Sequence, residues 1–349
     1  MVGDGFDFYA AAGDVAVNTA SWQSAGSVVL RTTGTRFGGN YMNMGNDSVS
    51  PGSMNTAQFT NSQTLFVNMN IISSQGHVAS GTTQLVGFTL RDTTSNIQCG
   101  VFLRNGGDFV LTSGAIGSGV LATSSVLMPL ANQWAHIQVK IFVHNTTGTV
   151  ELRINGATSA SWSATGLNTR NGTSNFYANV VTIQGSSPSQ DGIDDFYVFN
   201  DQSPAPSNFQ GDVHAIQQFP TSDNSITWTR NTGTNNCLAV DEPRQNGDTD
   251  YVATNVVNNT DIYGLAPLSP TPSTIVAVVP RFLARMDDAG PHTVRGSLTS
   301  GGTTVNLTDL VCTSSYVFQQ AAYAQDPNTS AAWTASAVNA CLLSIKDIV

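Results

Sequence analysis

Residues 134–156 read WAHIQVKIFVHNTTGTVELRING. In an extended chain Ile137, Val139, Ile141 and Val143 fall on one face. His136, Gln138, Lys140, Phe142 and His144 fall on the other. After the TTG turn, Val150, Leu152 and Ile154 repeat the same alternation. The closing Asn155-Gly156 is a dipeptide favoured where turn residues need positive φ. The stretch predicts two antiparallel strands sharing one apolar face.

Working outward, residues 1–200 alternate short apolar segments with Gly/Asn/Ser turns, the pattern of a sandwich of short strands. TLFVNMNI (64–71), QLVGFTLRD (84–92), CGVFLRN (99–105) and DFVLTS (108–113) read as strands, the last two joined across two glycines. VVTIQG (180–185) and IDDFYVFN (193–200) close the set, with no helical periodicity anywhere in this half. Trp134, opening the long strand, is expected to be buried and structural.

Composition agrees. Of 349 residues, 40% are hydrophobic and 10% charged, so Asn, Thr, Ser and Gly supply the polar surface. That favours strands and turns over helices, which prefer Glu, Lys and Arg. Lys140 and Lys346 are the only lysines, and Glu151 and Glu242 the only glutamates. A surface so poor in long charged side chains does little to oppose packing against neighbours. The net charge of −10, without a Lys/Arg cluster, argues against a phosphate-tracking nucleic-acid surface. No apolar run is long enough to span a membrane, and the N-terminus lacks the pattern of a secretory signal, pointing to synthesis in a cytoplasm. Cys99, Cys237, Cys312 and Cys341 form no CxxC pair and have no histidine at ligand spacing, so reduced buried thiols are expected rather than zinc. Cys237, Cys312 and Cys341 lie in the part of the chain where they could converge.

DQSPAPSNFQG (201–211), with two prolines and no periodicity, reads as a connector between a first domain (1–200) and a second (212–349). Beyond it GDVHAIQQFPT (211–221) reads as the start of a strand and SITWTR (225–230) as another. STIVAVVPRFLARMDD (273–288) is the most apolar run of this half, with Pro280 marking an edge, a bend or two shorter strands. TVRGSLTSGGTTVNLTDL (293–310) reads as a Gly-Gly hairpin. Near the C-terminus Val338, Leu342 and Ile345 share one helical face, with Lys346 where the helix dipole favours a cation.

Two resemblances follow from these residues. Trp134, Gly148, Val150, Leu152, Ile154, Asn155 and Gly156 resemble the hairpin of the concanavalin A-like, laminin-G type jelly roll. Gly192, Ile193, Asp194, Asp195 and Phe196 resemble its closing strand. The second half resembles, more loosely, a C-terminal module of tailed-bacteriophage virion proteins, through GDVHAIQQFPT (211–221), CLAVDEPRQNGDTDYV (237–252), ARMDDAG (284–290) and DPNTSAAWTASAVNA (326–340). The fold class expected is all-β: an antiparallel jelly-roll sandwich, then a mostly β module with one short C-terminal helix.

Candidate chemistry is sparse. Strand alternation sends Asp194 and Asp195 to opposite faces unless a bulge intervenes, so a role in turns and backbone hydrogen bonds is expected. Calcium needs roughly six to eight oxygens, and no DxDxD-type loop accompanies the pair. Glycoside hydrolases on the jelly roll use paired carboxylates, whereas Glu151 has no second glutamate before Glu242. His136 and His144 are eight residues apart on one strand face, roughly 27 Å, too far for one metal. His214 and His292 are isolated. Arg244 among Asp241, Glu242, Asp248 and Asp250 reads as a solvated loop with a turn at Asn246-Gly247.

No catalytic, cofactor or metal residue is therefore assigned, and no ligand-binding residue is identified. The expectation is a non-enzymatic structural component displayed on a phage particle, in tail, baseplate or fibre, aiding host-surface attachment. Its partners would be other virion proteins, copies of itself and a surface glycan, with no nucleic acid or membrane span. The alternatives are a capsid decoration protein and a polysaccharide hydrolase or lyase.

Overall fold

The computed structural model describes residues 2–12, 14–15, 18, 21–44, 51–73, 81–92, 96–128, 131–171, 173–186, 191–202 and 206–349. The chain divides into two compact units: Met1–Ala16 with Ser21–Ala215, and Ile216–Val349 with Val17–Ala20. Of the prolines in the connector, Pro204 falls outside the described residues.

The first unit is an antiparallel jelly-roll sandwich. One sheet runs in the order Trp162–Leu167, Gly148–Ile154, Ala135–Phe142, Thr64–Ile72, Gly192–Asn200, Tyr41–Asn43, Val29–Arg31, and Val2–Asp4 also pairs with Gly192–Asn200. The second runs Val120–Val126, Asp108–Thr112, Ile97–Arg104, Gln84–Arg91, Val180–Gly185, Ser53–Thr56, Trp22–Gly26. The hairpin that opens the sequence reading pairs Ile137 with Ile154, Val139 with Leu152 and Ile141 with Val150. Residues 143–147 connect its two strands, and Asn155 (φ 51°) and Gly156 (φ 74°), both at positive φ, turn the chain after Ile154 toward the next strand, Trp162–Leu167.

Alternation places the core as expected: Ile137, Val139, Ile141 and Val143 are buried with Val67, Met69 and Ile71 from one sheet, and Phe88, Leu90 and Val101 from the other. The tryptophan at the centre of this core is Trp22. It is fully buried, 5.8 Å from Phe6 and 5.5 Å from Phe196 between ring centroids. Trp134 is only half-buried, because it precedes its strand at the sheet's margin. There its Nε1 donates to the Gly34 carbonyl at 2.8 Å and its ring meets Tyr41 edge-on. Short strands such as Trp22–Gly26 and Ser53–Thr56 escaped the sequence reading because they are too brief to show a period.

In the second unit the main sheet runs Pro220–Ser225, Thr260–Leu265, Leu342–Asp347, Thr293–Ser300, Thr303–Asn306, and Leu310–Val311 also pairs with Thr293–Ser300. Gly301 and Gly302, both at positive φ, turn the predicted hairpin. Pro280 immediately precedes the strand Arg281–Ala284, which pairs with Val317–Gln320.

Two expectations are corrected here. Residues 211–219 form no strand, and the strand begins at Pro220. The C-terminal helix is confined to Ala335–Asn339, capped by Thr334 Oγ1, and Leu342, Ile345 and Lys346 belong to a central strand instead. Pairing on both edges satisfies that strand's backbone, which a helix of about ten residues cannot rival alone. All four cysteines are free and buried; Cys237 and Cys312 share one apolar cluster, while Cys341 lies in another with Trp333. Among the described residues no helix is long and apolar enough to cross a membrane.

Candidate functional site

The acidic pair lies where Gly192–Asn200 is irregular. Asp194 pairs with Asn70 and Tyr197 with Asn68, so Asp195 and Phe196 together oppose Met69. This is a β-bulge, and Asp195 adopts φ 45° within it. The bulge overturns the expectation of opposite faces: both carboxyls feel the charges of Asp7 and Arg36. Phe196 meanwhile points into the core against Trp22.

Three of the pair's four carboxyl oxygens accept protein donors. Asp194 Oδ1 accepts the Asp195 N–H at 2.8 Å. Asp195 Oδ1 accepts the Ala215 N–H at 2.9 Å, and its Oδ2 accepts from Asn70 Nδ2 at 2.9 Å. Burial, reinforced by the charge of Asp195, pushes Asp194 up to about 9. Burial also pushes Asp195 up to about 7, with the Ala215 N–H and the Asn70 amide pulling the other way. Both carboxyls are thus pushed above the usual carboxylate range, Asp194 further, with one donor against Asp195's two.

The pair is sealed by residues 206–215, which lie without regular structure over the outer face of the larger sheet. Phe209 packs edge-on to Phe66 at 5.3 Å and beneath the Arg153 guanidinium at 3.9 Å. Arg36 Nη1 donates to Asp212 Oδ1 at 2.7 Å and to Asn70 Oδ1, and its Nη2 donates to Asp212 Oδ2. His214 rests on the Phe37 ring at 4.6 Å. Gly5 admits the end of this segment, since a Cβ there would meet Ala215 Cβ at 2.6 Å. Under this cover Asp194 and Asp195 are 3% and 4% exposed, and the nominally outer residues Asn68, Asn70, His136 and Gln138 are buried as well.

The histidines remain separate. His136 Nδ1 is 4.0 Å from Asp212 Oδ1, and burial pulls the imidazole down to about 4, so it is neutral near pH 7. His144 Nδ1 accepts from the amides of Thr146 and Thr147. His292 Nε2 lies 2.8 Å from Asp288 Oδ1. Glu151 is held by Arg153 Nε at 2.9 Å. In the loop 240–252, Asp248 takes the Tyr316 hydroxyl at 2.6 Å and Arg285 Nε at 3.0 Å, so its cationic partner is Arg285 rather than the nearby Arg244. Burial, with Asp250 and Asp241 adding to it, pushes Glu242 up to about 7. Among the described residues no three His, Cys, Asp or Glu side chains are placed to hold a metal.

Chemically, the bulge holds two buried carboxyls that accept backbone and amide donors, closed off from solvent. Sequence reasoning missed Asn70, Arg36 and Asp212, because they join the site only through sheet pairing and the returning segment.

No protein-family model matches the chain. No curated protein matches it either. Among solved structures it is similar to the VIP36 exoplasmic/lumenal domain in its Ca2+/Man3GlcNAc-bound form, at 10% identity and a TM-score of 0.36, over 52% of this chain and 85% of that one. It is also similar to the Emp46p carbohydrate recognition domain in its metal-free form, at 10% identity and a TM-score of 0.34, over 50% and 86%. For the Emp47p carbohydrate recognition domain the values are 11%, 0.32, 50% and 88%.

Proposed function

We propose that the chain is a non-catalytic structural component of a tailed-bacteriophage particle, displayed on tail, baseplate or fibre and contacting host-surface glycan. The observation that carries the non-catalytic part is the sealed acid pair. Asp194 and Asp195 are engaged with Ala215 and Asn70 and lie beneath residues 206–215, so no polysaccharide reaches them. Acid-base hydrolysis needs a carboxyl within hydrogen-bond reach of the scissile oxygen. The particle assignment is supported by the sequence resemblance of residues 211–340 and by the order of the two β units. A surface nearly free of Lys and Glu suits close packing among copies. The glycan contact rests on analogy with jelly-roll modules and names no residue.

Locating the chain in particle density tests the assignment. Density on the tail or fibre supports it, density on capsomers makes the chain a decoration protein, and absence from particles ends the proposal. Incubation with capsular polysaccharide should release no reducing sugar; release abolished by Asp194→Asn would instead identify a hydrolase.

A further inference from the structure

We propose that residues 206–215 form a pH-released strap: ionisation of the second carboxyl of the Asp194–Asp195 pair draws water to the bulge, lifts Ala215 from Asp195 and uncovers the sheet face beneath. This inference is independent of where the protein acts.

The strap is held by side chains and one terminal hydrogen bond, not by a strand ladder. Its anchors are Phe209 between Phe66 and Arg153, Asp212 on Arg36, His214 on Phe37, and the Ala215 N–H on Asp195 Oδ1. Two of the four anchors thus converge on the neighbourhood of one acid pair. The charged and titratable groups facing that pair are Asp7 from the N-terminal loop, Arg36 from the loop 32–40 and Tyr197 from the strand itself. Burial raises Tyr197 far beyond neutrality, so its hydroxyl stays uncharged. On the far side of Arg36 lie Asp212 of the strap and the neutral His136 of Ala135–Phe142.

Arg36 is therefore the cation facing the pair, and its guanidinium already serves Asp212 and Asn70. With one proton on the pair the site holds Asp7, one charge on Asp194–Asp195, and Arg36. Losing that proton adds a second charge to a buried site where, among the described residues, Arg36 is the cation acting on both carboxyls. A buried, unpaired carboxylate is costly, and hydration is the available remedy. Segments outside the strand ladders open first. The strap is such a segment and its end bonds directly to Asp195, whereas Gly192–Asn200 is paired to Thr64–Ile72, Tyr41–Asn43 and Val2–Asp4. Both carboxyls bind protons more tightly with the strap closed than in water, so linkage makes opening more favourable as pH rises.

The experiment is hydrogen exchange on the full chain between about pH 6 and about pH 10, read by peptide and corrected for intrinsic exchange. Protection of 206–215 should fall by about tenfold or more across that range, while the sheet strands keep theirs. In Asp194→Asn, which mimics the protonated carboxyl, the fall should shrink at least severalfold. Asp212→Asn supplies a second test should Asp194→Asn not fold. It lowers protection at every pH but leaves the pH-dependent fall in place. Constant protection of 206–215 in the wild type overturns the proposal. So does an equal fall in Asp194→Asn, a loss confined to residues 2–12, or the disappearance of the fall in Asp212→Asn.

Discussion

The indole of Trp22, on the smaller sheet, lies 5.5 Å from the ring of Phe196, on the larger sheet, tilted by 35°. The bulge that gathers Asp194 and Asp195 is what leaves Phe196 pointing inward to meet it. Core and acid pair are thus two sides of one irregularity. Trp22 also donates Nε1 to Asp4 Oδ2 at 2.9 Å, so the residue joins both sheets and satisfies a buried carboxylate.

Trp22→Ala should cost about 3–5 kcal/mol, for a cavity and a lost buried donor. Trp134→Ala should cost less, about 1–2 kcal/mol, because its side chain is only partly buried. Denaturant melts of the full chain measure both; a larger loss for Trp134→Ala would reverse their assigned roles.

Raised carboxyl pKa values set a direction for stability. Asp194 and Asp195 rise from 3.8 to about 9 and about 7, so the folded state binds the extra protons. Their favourable contribution is complete below about pH 4 and is lost as pH rises through about 7 and then about 9. Asp194→Asn should therefore melt progressively higher than the wild type as pH is raised from about 6 to about 9. A constant difference between the two proteins would show that Asp194 does not titrate in this window.

Calcium should leave the melting temperature unchanged. Three of the pair's oxygens already accept protein donors, and burial holds both carboxyls above the usual carboxylate range. Melts with calcium and with chelator should coincide. A rise of several degrees with calcium, lost in Asp194→Asn or Asp195→Asn, would establish a native-state metal site.

Phe209→Ala should loosen the strap without unfolding the sandwich. Its ring contacts are Phe66 and the Arg153 guanidinium, both at the outer face rather than in the core. Limited proteolysis should cut within residues 201–215 severalfold faster than in the wild type, with the melting temperature shifted by a few degrees at most. Unchanged cleavage would mean that Asp212, His214 and Ala215 suffice to hold the segment.

Much of the sandwich follows from the sequence by local rules. The alternation of Ile137, Val139, Ile141 and Val143 decides which face is buried, and Asn155-Gly156 permits the turn, because both depend on a residue and its near neighbours. The buried polar face was not legible in that way. His136, Gln138, Asn68 and Asn70 have the alternation of a solvated face, yet they are buried where distant segments, Arg36 and residues 206–215 among them, return over the sheet.

Tertiary structure decided the rest by offering hydrogen bonds and neighbours that no local window contains. Leu342, Ile345 and Lys346 have helical spacing, yet edges on Thr260–Leu265 and Thr293–Ser300 claim both sides of that backbone as strand. Asp194 and Asp195 alternate in the sequence, yet one extra residue opposite Met69 brings both carboxyls beside Asp7 and Arg36. Periodicity and turn chemistry are properties of the chain itself. Register, bulges and burial of a polar face exist only when distant segments meet, and there the acid pair acquired its proton and its cover.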